Sequence, residues 1–154
     1  MSTVKFTIYF NAEDVVNIFP YVKVPSLELQ MLAVSTCGEL IAHFKKPSEK
    51  IAMAAIKNDP NAIKYIKNPS EEVAMAAIEA SPSTIAYIKN PSEELQMLAL
   101  AKNVQTIRHI NNPSDKTIIA ALSANFRCIS YFEENKLSEE VQMFFVKTYP
   151  NNTY

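Results

Sequence analysis

Apolar residues recur along this chain in columns 22 residues apart. Leu29, Ile51, Val73, Leu95 and Val141 form one column, and Val34, Ile56, Ile78, Leu100, Leu122 and Val146 form a second, with Ala33, Ala55, Ala77, Ala99 and Ala121 between them. Spacings of four and five, in segments rich in Ala, Leu, Met, Glu and Gln, predict a helix of about ten residues. Each segment follows a proline: Pro25, Pro47, Pro69, Pro91 and Pro113 are 22 residues apart, and a sixth copy, KLSEEVQMFFV, comes after a two-residue insertion. In Asn68-Pro69-Ser70-Glu71 the expected start is Asn as N-cap, Pro at the first helical position and Glu reaching back. Asn90-Pro91 and Asn112-Pro113 repeat that arrangement.

The second half of each unit opens with Asp59-Pro60 or Ser81-Pro82, again a cap followed by proline. It carries Ile41, Ile63, Ile85, Ile107 and Ile129, with Phe44, Ile66, Ile88, Ile110 and Phe132 three residues on. This predicts a second helix of about two turns. A hairpin this small cannot enclose a core and must stack on its neighbours. The expected fold is therefore an all-α solenoid of about six 22-residue helical hairpins over residues 25–149, with a tail at 150–154. With helix axes about 8 to 10 Å apart, the stack would be a rod or shallow arc roughly 50 Å long.

The ends depart from the repeat. Residues 3–10, TVKFTIYF, alternate as a strand does, and residues 12–22 read as a degenerate half-repeat, so 1–24 is expected to form an N-terminal cap with a short extended segment. At the other end Phe145, beside Phe144, stands in the alanine column. These two ends, the strand and the Phe144/Phe145 helix, are the expected routes to any oligomer.

Composition narrows the functional classes. The 154 residues are 48% hydrophobic and 20% charged, with a formal net charge of -1, which suits one globular domain with no global field for nucleic acid or anionic membranes. No run of about 18 apolar residues occurs, so no membrane span is expected and the protein reads as soluble and cytoplasmic. The single glycine, Gly38, rules out glycine-rich phosphate loops. His43 and His109 lie three units apart, roughly 25 to 30 Å, and cannot share an ion. Cys37 and Cys128, four units apart, are too distant for a disulfide. No Ser/His/Asp set can be assembled, so the reading is non-catalytic, with no cofactor.

The candidate binding residues form a ladder. Tyr21, His43, Tyr65, Tyr87, His109 and Tyr131 recur at the unit spacing, each an apolar ring with a polar tip. Lys23, Lys45, Lys67 and Lys89 follow two positions on, with Lys64 and Arg108 nearby. Lys45, Tyr65, Lys67, Tyr87, Lys89, Arg108 and His109 are the expected partner-binding residues. A protein partner is the first expectation, and a nucleic acid tracked by the lysine column the alternative. Inter-repeat packing, with the ring tips satisfied locally, is the structural explanation of the same ladder. Met31, Met53, Met75, Met97 and Met143, with alanines close by, are expected in the core. The pairs Glu71-Glu72, Glu93-Glu94 and Glu139-Glu140 fall in first helical turns, where negative charge is stabilising.

The strings NPSEEVAMAAI and NPSEELQMLAL resemble the short helical repeats written NPSEEVQLAAV, found in phage, large DNA virus and some intracellular bacterial proteins. The resemblance spans residues 25 to about 149 and implies no activity. It does imply a viral or effector-type protein acting inside a host cell, in the host cytoplasm if viral, and the extended surface of stacked hairpins makes an adaptor or inhibitor of a host protein the expected role. This chain departs from the pattern at Leu137, Thr117 and Ile119.

Overall fold

The computed structural model describes residues 12–133 and 136–150. Two kinds of helix alternate. Seven α-helices are described: α1 (Ala12–Ile18), α2 (Leu27–Thr36), α3 (Glu49–Asn58), α4 (Glu71–Ala80), α5 (Glu93–Lys102), α6 (Asp115–Ala124) and α7 (Glu139–Thr148). Between them run the short helices η1 (Phe19–Tyr21), η2 (Gly38–His43), η3 (Pro60–Tyr65), η4 (Pro82–Tyr87), η5 (Val104–His109) and η6 (Phe126–Tyr131), all of 3-10 type. Successive α-helices pack on one another as one layer and successive η helices as a second, which is the predicted all-α solenoid. Residues 12–21 form the expected half-unit, α1 with η1. The extended segment at residues 3–10 lies outside the described residues.

The α-helix starts differ from expectation. Serine, not asparagine, is the N-cap: Ser70 Oγ accepts from Val73 N–H at 3.3 Å, and Ser26, Ser48, Ser92, Ser114 and Ser138 do the same for their helices. Proline therefore stands before the cap and not inside the helix. Its ring disfavours helical geometry in the preceding residue, so Asn68 cannot lead straight into a turn, and Ser70 at φ -64°, ψ 160° has the extended backbone a cap requires. The glutamate that follows does not reach back. Glu49 accepts from Ser70 Oγ and Glu71 from Ser92 Oγ, so each acid ties its own helix to the cap of the next.

The other corner has no loop. Each of α2 to α6 ends on an extended residue whose N–H closes onto the alanine column, as in Asp59 to Ala55 O and Ser81 to Ala77 O, both 2.8 Å. That same residue is the N-cap of the short helix that follows. Asp59, Asn103 and Asn125 accept from the N–H two residues on, as predicted for Asp59, whereas Ser81 makes no such bond. Six residues at three per turn make the two turns expected, but in the tighter 3-10 form.

Packing follows the columns. Ala33, Ala55, Ala77, Ala99 and Ala121 are fully buried, and so are Ile41, Ile51, Ile63, Ile78 and Ile85. Thr117 replaces an apolar residue in its column and is equally buried, its hydroxyl 2.8 Å from Ser114 Oγ. Gly38 permits a close approach: a Cβ there would stand 2.7 Å from Ala55 O. Asn58 secures that approach, accepting from Gly38 N–H at 2.7 Å and donating to Ser35 O at 2.8 Å. At the N-terminal end Val15 and Phe19 cover Ala33 and Leu40, with Phe19 edge-on to Phe44 at 5.2 Å. At the C-terminal end Tyr149 stacks near Phe126 and Phe145 and donates to Leu122 O at 2.8 Å.

Candidate functional site

The aromatic ladder falls at one structural position. Tyr21, His43, Tyr65, Tyr87, His109 and Tyr131 are the last residues of η1 to η6, so stacking the short helices lines these side chains along one edge. Tyr65, Tyr87 and Tyr131 are 40%, 49% and 43% exposed, which leaves one side of each ring packed and the other in solvent. Their hydroxyls can reach back one unit. Tyr131 donates to Gln105 Oε1 at 2.6 Å, and Tyr65 approaches Glu39 Oε1 at 3.4 Å. Tyr87 has no hydrogen-bond partner among the described residues. In His109 the Nε2 atom accepts from Arg108 Nε at 3.0 Å.

The lysines divide into two groups. Lys45, Lys67 and Lys89 are exposed in the turns that follow η2, η3 and η4 and pair with no acid among the described residues. Lys64 is engaged, bonded to Glu39 at 2.9 Å with its ammonium 4.7 Å from the Tyr65 ring centre. The Glu39 bond, then the Tyr65 contact, holds its pKa above the ordinary lysine value. The ladder residues named from sequence thus share one edge, although Arg108 and Lys64 spend donors on neighbours within it.

The methionines correct the sequence reading in part: Met31, Met75 and Met97 are half-buried and pack against the core, while Met53 and Met143 are 37% and 47% exposed. Next to them, Leu32 is exposed and Ala54, Ala76, Leu98, Ala120 and Phe144 are half-buried. Together they give the outer side of the α layer an apolar stripe. A signal for it lay in the sequence. Met75, Ala76, Ala77 and Ile78 are consecutive, and four consecutive positions at 100° each span most of a helix circumference. They cannot all face inward, and Ala77 and Ile78 take the core.

Among the described residues no cluster of His, Cys, Asp or Glu is arranged to hold a metal ion, and no helix is long and apolar enough to cross a membrane. Cys128 is buried, which raises its thiol pKa, and Cys37 is half-buried. Comparisons with family models, curated proteins and solved structures return no match to this chain.

Proposed function

We propose that this chain is a non-catalytic repeat module that binds a protein along its η edge. The observation that carries the reading is the ladder of half-exposed tyrosines, one per unit at Tyr65 and Tyr87, flanked by the unpaired Lys67 and Lys89. Core packing asks only for apolar residues. Tyrosine is enriched at binding hot spots because its ring can be buried while its hydroxyl finds a partner, and the Tyr87 hydroxyl has none among the described residues. Stacked units also supply the extended surface on which repeat proteins bind. The resemblance in the repeat strings supports taking the partner to be a host protein, bound by a viral or effector-type adaptor or inhibitor.

The exposed lysine column supports a second reading, nucleic-acid binding, and one pair of measurements separates the two. Affinity capture from host extract identifies a partner, and Lys67→Glu with Lys89→Glu then weakens it without a large change in melting temperature, because exposed charges contribute little to folding. An unchanged affinity places the site elsewhere. Binding of oligonucleotides at 50 mM salt, lost by about 200 mM, would instead favour the nucleic-acid reading.

A further inference from the structure

The apolar stripe on the α layer deepens between α3 and α4. An open groove of about 580 Å³ runs there, floored by Met53, Ala54, Ala76 and Ala80 and bordered by Lys57 and Glu79. Its shape comes from side-chain size at one repeated position, which holds Leu32 in α2, Ala54 in α3, Ala76 in α4 and Leu98 in α5. Two alanines between two leucines leave a trough along the seam of α3 and α4. Such a trough takes the apolar side chains of a helix laid along the seam.

The charges around the trough are ordered by helix. On α3 the residues Lys50, Met53, Ala54 and Lys57 follow the i, i+3, i+4, i+7 rule and share one face; on α4 the matching face is Glu72, Met75, Ala76 and Glu79. Each helix thus presents two like charges about 10.5 Å apart, cations on α3 and anions on α4, and of these Lys57 and Glu79 line the groove itself. All four are exposed, and none has an ion-pair partner among the described residues. Lys116 and Glu93, by contrast, occupy neighbouring units and pair at 2.6 Å.

We propose that this trough is a docking site for one amphipathic α-helix of a protein partner. That helix has an apolar stripe, acidic residues seven apart on the flank over α3, and basic residues seven apart on the flank over α4. The proposal goes beyond the η-edge site, on the opposite layer of the stack. It is tested on the purified chain with synthetic peptides, so its failure leaves the η-edge reading standing.

The probe is a labelled three-heptad peptide with a leucine stripe, glutamates on one flank and lysines on the other; two controls carry lysine on both flanks or glutamate on both. In fluorescence anisotropy the mixed peptide should bind about five- to tenfold tighter than either control. Lys50→Glu with Lys57→Glu makes both walls acidic and should transfer the preference to the all-lysine peptide. Ala54→Leu with Ala76→Leu fills the floor and should weaken the mixed peptide more than tenfold; the charge variants test the site even where this one folds poorly. Equal binding of the three peptides, or an unchanged preference in Lys50→Glu/Lys57→Glu, overturns the proposal. So does light scattering that shows a dimer which the same double variant splits, because the trough would then hold a second copy of this chain.

Discussion

In α4 the adjacent residues Ala77 and Ile78 are both fully buried; in α7, at the same register, Phe145 is buried and Val146 is 63% exposed. The two helices share their capping serine, acidic first turn and length of ten residues. They differ in their surroundings. On α4 lie neighbouring α-helices on both sides and the short helices η3 and η4; among the described residues α7 has α6 before it and no short helix after it. With no described helix stacked beyond α7, bulk is accommodated where the internal units hold alanine, and Tyr149 packs against Phe145 and bonds to Leu122 O there. Burial in this molecule is thus conferred by the adjacent unit and not by a residue's own helix.

The sharpest way to break that comparison is to truncate the paired positions. Ile78→Ala should cost about 2 to 5 kcal/mol in urea unfolding, as expected for a buried residue, and Val146→Ala less than about 0.5 kcal/mol. Similar losses at both sites would refute the idea that the seams hold the stability. A somewhat smaller effect is expected from added bulk. Ala77→Leu should destabilise by about 1 to 3 kcal/mol through overpacking, and a melting temperature equal to that of the unchanged protein would mean the alanine column is not a close contact.

The smallest effect concerns a charged tie between units. The bond from Lys116, with help from Ser114, lowers the pKa of Glu93 from its ordinary 4.5. A carboxylate depressed in the folded state contributes stability that is present above the unfolded value and lost as pH falls through the folded one. Lys116→Ala should therefore lower the melting temperature slightly at pH 7, with the difference closing as the pH drops below about 4.5. A difference that is independent of pH would show that the pair does not act through Glu93 ionisation. Both groups are largely exposed, which keeps the effect small.

The fold was legible because two independent signals recur together along the chain, the apolar columns, broken by Thr117, and the Pro-Ser start, broken by Leu137. One misreading depended on a partner 21 residues away. Whether Glu71 turns back to its own cap or forward to Ser92 is undecided by its local sequence, since both offer a donor. Asn68 and Ser70 are comparable caps on paper, and the intervening proline decides between them. The tyrosine ladder was legible from its period, and its position at the ends of the η helices follows from the same register. The trough was not, because it depends on differences between units, Ala54 and Ala76 against Leu32 and Leu98, which a search for similarity averages away.

Sharing one residue between the end of an α-helix and the start of the next short helix leaves that corner without slack. A residue added between Ala80 and Ser81 would turn the following segment by about 100° about the helix axis and misalign every later unit. The opposite edge, after the tyrosines, has turns that can lengthen, and there residues 133–136 hold two more than the two, 111 and 112, at the matching turn. Variation in length can thus enter this architecture beside the ladder. A loop grafted after Lys89 should extend the proposed recognition edge and keep the stack, whereas the same graft at Ser81 should cost the fold.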